Sequence, residues 1–516
     1  MPSTYIESML RKAKSDKPSS PLREAEEKPK EAGEGKKVLL DSYGDVKIYR
    51  EEGEPLLLYE VPAPHYYGTE KVLIDALLQI AIGVIPLDVE ALTVEEKRKR
   101  YFNKVMEIID QTPELKVPPN SKAFYANAVV RDMVGYGLID SLVNDDQLEE
   151  IMIIAPNKPV YVFHRRHEML RTNIIFYEDI DVRNLIDRIA RAIGRRIDAQ
   201  VPLLDARLPD GTRVNATLPP ASIDGATLTL RKFKKDPLSV IDLINLGTMS
   251  YEVAAFLWLA TDGAGAFPAN ILIAGGTASG KTTTLNVLSS FIPKAERIVS
   301  IEDTAELSLP LTHWIRLEVR PPSVEGTGEI TMNDLVKNSI RMRPDRILVG
   351  EIRGAEGYTM FAAMNTGHRG VMGTVHANSA RETIVRLTSP PISVPSIMVS
   401  SLNLIVMQNR IHDRRKGTLR RITEIAEVSP SEEGDKQDLQ VIYSYDPVKD
   451  EIFETGSPSL YFHQLKKYTG LSDEALKQEV ADRVRILKDL NNKNVRSLND
   501  ACEVTQNYVA SRRLKL

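Results

Sequence analysis

A single cysteine, Cys502, is all the thiol chemistry this 516-residue chain carries. That excludes an internal disulfide framework and any zinc site built from several cysteines, and it suits a reducing compartment. Long apolar runs are missing as well. The most apolar span, Val72 to Leu87, is broken by Asp75, Gln79 and Pro86 and is too short to cross a bilayer, so any membrane role is expected to be peripheral. No apolar leader stands at the N-terminus, and Met1-Pro2 is not the Met-Gly of a myristoylation site, so neither a secretory signal nor that lipid anchor is expected. Neither sign of charge dominates: the formal net charge of -4 gives no overall pull towards nucleic acid. Aromatic residues make up only 6% of the chain and offer no stacking platform for single strands. What remains is ordinary globular composition, 42% hydrophobic and 27% charged, in a chain long enough for about two to four domains.

Against that background one stretch stands out, ILIAGGTASGKTTTLNVLSSF at 271 to 291. Ile271 to Ala274 suits a short buried strand, and Leu285, Val287, Leu288 and Phe291 recur at roughly helical spacing. Between them Gly275, Gly276, Thr277, Ala278, Ser279, Gly280, Lys281, Thr282 and Thr283 match the phosphate-binding pattern G-x-x-x-x-G-K-T. Glycines let the backbone curl its N–H groups inward, and the helix N-terminus adds partial positive charge. Lys281 is expected to reach the β- and γ-phosphates, and the Thr282 hydroxyl to join a Mg²⁺ shell. The loop is read as binding ATP.

Around it the chain divides. Residues 1–37 are rich in Lys, Glu, Pro, Ser and Gly and are read as a disordered tail, in which Tyr5, Ile6, Met9 and Leu10 form either a docking turn or a frayed end. Residues 38–120 are an accessory segment: a hairpin over 38–65 with Glu52-Gly53 near its turn, then helix over 70–111. The basic run Lys97 to Arg100 is either a solvated helix face or a contact for an anionic surface. Residues 121–240 form an α/β domain: a helix over 121–139, a meander over 148–176, a helix over 179–194, a hairpin turning at Pro209-Asp210-Gly211, and a strand over 226–233. Asp236-Pro237-Leu238-Ser239 is the linker. From 241 to 516 strands alternate with helices, which implies a parallel sheet covered on both faces and then a helical C-terminal region.

Ligands in such sheets bind beyond the carboxyl ends of the strands. Strands at 298–301, 346–349 and 371–375 end at Glu302-Asp303, Gly350-Glu351 and His376. Together with Lys281 these strand ends are expected to converge on one crevice. Glu351 is the first candidate for the carboxylate that orients or deprotonates the attacking water, or that holds Mg²⁺ through water, and Glu302 shares the role. His376 either senses the γ-phosphate or is a packed structural residue, and His368 stands in a secondary place. Arg207, Arg213 and Arg231, on the strands before the linker, are candidates for phosphate contact because a planar guanidinium suits phosphate oxygens.

With these residues in place the chain resembles the ATPases of type II and type IV secretion, type IV pilus assembly and retraction, and the archaellum. GGTASGKTTTLN is similar to their Walker A, SIEDTAEL to their aspartate box, RPDRILVGEIRG to their atypical Walker B and TGHRGVMGTVHANS to their histidine box. The likeness extends upstream through RRIDAQVPLLDARLPDGTRVNATLPP and TLRKF and covers roughly residues 120–428. It implies an N-terminal α/β domain flexibly tied to a RecA-like ATPase domain, and a homohexameric ring in the cytoplasm against a polytopic membrane platform protein. ATP and Mg²⁺ are the implied cofactors, and no nucleic-acid partner is expected. By the resemblance Glu351 is the Walker B acid, Glu302 and Asp303 belong to the aspartate box, His376 to the histidine box, and Arg207, Arg213 and Arg231 to the arginine-bearing segment. The four-cysteine zinc module of many bacterial members is missing, and the wording of the boxes is closer to archaeal and tight-adherence members. A pilus or secretion motor of archaeal type is therefore expected, with an archaellum motor as the near alternative. A nucleotide-switched scaffold and a nucleic-acid translocase remain as readings of other classes. Lys281→Ala is expected to abolish triphosphate binding, which equilibrium binding of a fluorescent ATP analogue checks.

Overall fold

A computed structural model describes residues 37–62, 69–84, 94–115, 117–232, 237–320, 322, 327–413, 417–431 and 437–513. Nearly all of the expected tail, with Tyr5, Ile6, Met9 and Leu10, lies outside these residues. The chain forms two compact units, one ending at Lys234 and the other beginning at Lys235.

The N-terminal unit is built on one nine-stranded sheet. Its strands are β1 (Lys37–Tyr43), β2 (Val46–Glu51), β3 (Leu58–Glu60), β4 (Leu148–Ile153), β5 (Pro159–His164), β6 (Glu168–Ile175), β7 (Leu203–Arg207), β8 (Arg213–Thr217) and β9 (Thr227–Arg231). They lie in the order β1-β2-β3-β6-β5-β4-β9-β8-β7. Strict alternation directs one face inward: in β5, Val160, Val162 and His164 are buried while their neighbours are half-exposed. Helix Asp179–Ala192 covers that face with Val182, Leu185, Ile186 and Ile189, spaced as one helical stripe. Helices Thr69–Val84, Val94–Gln111 and Lys122–Val134 close a second, smaller core around Leu77, Val105 and Val129.

The segment over 70–111 is helical as expected, in helices Thr69–Val84 and Val94–Gln111. Two details differ from the expectation. The hairpin with Glu52-Gly53 in its connection is β2–β3, but a further strand, β1, precedes it through a turn at Gly44. And β3 runs parallel beside β6, so the accessory hairpin completes the same sheet as the meander. The pairing is long-range, and no local pattern announces it.

In the C-terminal unit, β10 (Ile271–Ala274), β11 (Ile298–Glu302), β12 (Trp314–Glu318), β13 (Arg346–Ile352), β14 (Met372–Val375) and β15 (Leu404–Asp413) are mutually parallel, in the order β12-β11-β13-β14-β10-β15. β16 (Gly417–Pro430), β17 (Gln437–Asp446) and β18 (Glu451–Glu454) extend it as an antiparallel meander. The sequence reading anticipated neither β12 nor this extension. Every residue of β10, β11 and β14 is buried, as strands covered on both faces require. Ile271 and Ile273 join the core on one face, Leu272 and Ala274 the core on the other. One strand, β14, separates the phosphate-loop strand from the strand carrying Glu351, and this order makes the unit a RecA-like α/β fold.

Helix Tyr251–Asp262 lies inside the unit, buried from Val253 to Asp262. Helix Asp473–Asn492 brings Arg483 against its end, where the guanidinium donates to Asp262 at 2.7 Å and to Glu479 at 2.6 Å and lies over the rings of Trp258 and Tyr508. Two charges buried this deeply are tolerable only as a pair. No helix among the described residues is long and apolar enough to cross a membrane. Arg483→Ala is expected to lower the unfolding free energy by about 3–5 kcal/mol, because Asp262 is left without its cation; guanidinium titration measures it.

Candidate functional site

The loop after β10 curls where only glycine fits. A Cβ on Gly275 would lie 2.1 Å from the Gln408 carbonyl oxygen, and Gly280 adopts φ +96° with the Gln408 amide beneath it. Ala278, between them, takes φ 56° without being glycine, a strain typical of functional loops. Helix Lys281–Ser289 starts directly behind Gly280. Thr277 and Ala278 are exposed, Ser279 is buried with its hydroxyl unpartnered, and Lys281, Thr282 and Thr283 are half-buried on the first turn. The Lys281 ammonium donates to the Gly276 carbonyl at 2.9 Å. Burial pulls its pKa below the usual range; the Glu351 charge works against that fall and the Arg353 charge adds to it.

The neighbouring strands deliver the other candidates. Ala274 pairs with Val375, so the next residue, His376, flanks the loop and meets the Thr277 hydroxyl at 3.0 Å through Nε2. On β13 the register with β14 slips between Val349 and Ile352, and Gly350 and Glu351 occupy that bulge. Bulges re-aim side chains, and here the re-aimed side chain is Glu351. A Cβ on Gly350 would press on the Glu302 side chain at 3.1 Å, so the two strand ends touch there. Arg353 donates to Glu351 at 2.5 Å and to Asp303 at 3.1 Å, while the Glu356 carboxylate accepts from the backbone N–H groups of Arg353 and Gly354 at 2.6 Å each.

Glu302 is built differently. It is buried, and its Oε2 accepts from the backbone N–H groups of Glu306 at 2.7 Å and Leu307 at 2.9 Å, while Oε1 has no partner. Burial pushes its carboxyl up to about 7, although those two backbone donors oppose the rise. A value near neutrality suits proton transfer.

Lys281, Glu302, Glu351 and His376 are thus gathered at the carboxyl ends of adjacent strands. His368 is not among them: it precedes β14, at the opposite end of that strand, and its backbone N–H donates to Ala363 at 3.1 Å. Arg207, Arg213 and Arg231 lie in the N-terminal unit, directly opposite one another across β7, β8 and β9. Like charges facing across strands are unfavourable unless each has a partner. Glu150 follows in the same row, 3.7 Å from Arg231. Among the described residues no group of three or more His, Cys, Asp or Glu is arranged to hold a metal.

Three residues escaped the sequence reading. Gln408, buried at a register slip in β15, accepts from the Thr284 hydroxyl at 2.6 Å. Arg420 on β16 donates to the Ala278 carbonyl at 3.0 Å. Arg353 was within reach of sequence reasoning, since it stands only two residues beyond Glu351, just past the end of β13.

Comparison with known proteins follows the same residues. The family model described as type II/IV secretion system protein matches residues 133–436. An uncharacterized protein of Methanocaldococcus jannaschii is 34% identical over 545 residues, covering 72% of this chain and 75% of the relative. The type IV secretion system protein PtlH of Bordetella pertussis is 38% identical over 221 residues, 39% of this chain and 64% of PtlH. Among solved structures the VirB11 ATPase of the Brucella suis type IV secretion system is similar at 25% identity and a TM-score of 0.28, over 55% of this chain and 90% of that one.

Between about pH 4.5 and 7 the unfolded chain has Glu302 ionised while the folded chain keeps it protonated, so this group makes stability fall as pH rises across that window. Glu302→Gln is expected to flatten that fall, as denaturant titrations at several pH values across it would show.

Proposed function

Because this chain belongs to the family of type II/IV secretion system proteins and is an ATPase, we propose that it is the Mg-ATP-driven motor of an archaeal-type secretion or type IV pilus-assembly machine. It works as a homohexamer in the cytoplasm, held peripherally against a polytopic membrane platform protein. The observation that carries this reading is the meeting of a phosphate loop with Glu302, Glu351 and His376 at adjacent strand ends. Mere nucleotide binding needs no strand-end carboxylates, whereas hydrolysis needs a placed water and compensation for charge on the transferring phosphoryl group. The relative in an archaeon supports the archaeal assignment.

In this reading the backbone N–H groups of residues 275–281 wrap the phosphates, and Lys281 spans the β- and γ-phosphates. Glu351 orients the attacking water and takes up its proton, aided by Glu302. His376, already bonded to the loop through Thr277, reports the γ-phosphate to β14. The Thr282 hydroxyl and, through water, the Glu351 carboxylate would be the hard oxygen donors for Mg²⁺, which commonly takes only one or two protein ligands and otherwise water and phosphate oxygens, and which would supply charge neutralisation at the transferring phosphoryl group. The arginine row Arg207, Arg213 and Arg231 offers planar cations for the remaining phosphate charge.

Steady-state ATPase activity against protein concentration, with light scattering, tests this. Activity is expected to rise with assembly into a six-subunit species and to collapse in Glu351→Gln while ATP binding persists. Arg207→Ala and Arg213→Ala are expected to lower turnover without abolishing binding. Tight binding by a monomer without turnover, unchanged on adding platform protein, would favour a nucleotide switch instead. Stimulation by single-stranded nucleic acid would favour a translocase.

A further inference from the structure

Glu351 sits in a bulge, where the ladder that fixes its neighbours is interrupted. Something other than strand pairing must therefore set the direction of its carboxylate. The guanidinium of Arg353 is the group in place to do so, and it spends its other arm on Asp303, in the loop that follows β11. One planar fork thus joins the ends of β11 and β13. The fork is not what holds the chain there: the Glu356 carboxylate already anchors the backbone of Arg353 and Gly354, and Glu302 anchors the backbone of Glu306 and Leu307. The Arg353 side chain is 65% exposed, and ion pairs so exposed contribute little to stability. A pair that adds little to stability, yet joins two acidic strand ends beside the phosphate loop, is suited to orientation.

The geometry points to Arg353 as a positioning residue that sets the direction of the Glu351 carboxylate and couples it to Asp303 for the hydrolytic step. This rests on the reading of Glu351 as the water-orienting carboxylate. Lysine cannot replace the fork, because a single ammonium on a flexible stem does not span two carboxylates in a fixed plane. Misplacing a reacting group by about 1 Å can cost about a hundred-fold in rate.

The test compares Arg353→Lys, Arg353→Gln, Asp303→Asn and the double variant Asp303→Asn/Arg353→Gln in the full chain. Measurements are kcat, KM, equilibrium binding of a fluorescent ATP analogue, and melting temperature. Both Arg353 variants are expected to lose about ten- to a hundred-fold in kcat, with analogue affinity and melting temperature unchanged. Asp303→Asn is expected to lose less, and the double variant to be no slower than Arg353→Gln alone, as for two members of one linkage. Parental kcat in both Arg353 variants would overturn the proposal. So would a joint fall of kcat, affinity and melting temperature in Arg353→Lys, since that marks a purely structural arginine. Multiplying losses in the double variant would overturn the coupling to Asp303. Glu351→Gln at the parental rate would remove the premise, a failure separate from those in the Arg353 variants.

Discussion

The site depends on how closely two backbones approach at the end of β10. At Gly275 no side-chain atom can be inserted without striking the Gln408 carbonyl oxygen, so the chain can bend into the phosphate loop only as glycine. The bend is braced from both flanks by register. Ala274 pairs with Val375 on one side and with Met407 on the other, which places the next residues, His376 and Gln408, against the loop. His376 meets Thr277 from one flank, while Gln408 grips Thr284 and Arg420 holds Ala278 from the other. A loop that must receive a highly charged ligand without rearranging gains from such bracing.

How much of this could be read beforehand follows from the range of the forces involved. The phosphate loop and the strand ends at Glu302 and His376 are local patterns and stand where their residues suggest, while Glu351 falls in a bulge one residue before the end of its strand. Gln408 and Arg420 were not legible, because their meaning comes from strands paired across more than a hundred residues of sequence. The antiparallel extension was missed for a related reason. Its runs, such as Val441-Ile442-Tyr443, carry local strand character, but nothing local tells that they pair as a meander on the edge of the parallel sheet. The same holds for β3, whose place beside β6 is visible only in three dimensions. The Arg353 bridge was partly legible, since its spacing from Glu351 is local while Asp303 comes from the loop after β11.

The two units handle charge in contrasting ways. In the C-terminal unit Arg483 and Asp262 are taken out of water together and walled by Trp258 and Tyr508, so their charges serve cohesion. In the N-terminal unit Arg207, Arg213 and Arg231 stand in register on the face of the sheet opposite to buried Leu204, Val214 and Leu230. There the row ends on a carboxylate, with Glu150 opposite Arg231 at 3.7 Å.

The strand order also has a consequence for how the protein comes into being. The ribosome delivers the phosphate-loop motif well before β14 and β15, yet β10 acquires its two neighbours only when those strands arrive. Until then the loop lacks Gln408 beneath it and His376 beside it, and an apolar strand meant for the middle of a sheet stands with both edges open. Such long-range pairing folds slowly and leaves the nascent chain exposed to aggregation. Competence to hold a nucleotide is therefore a late event in translation, and during that interval the unfinished C-terminal unit is a natural client for chaperones.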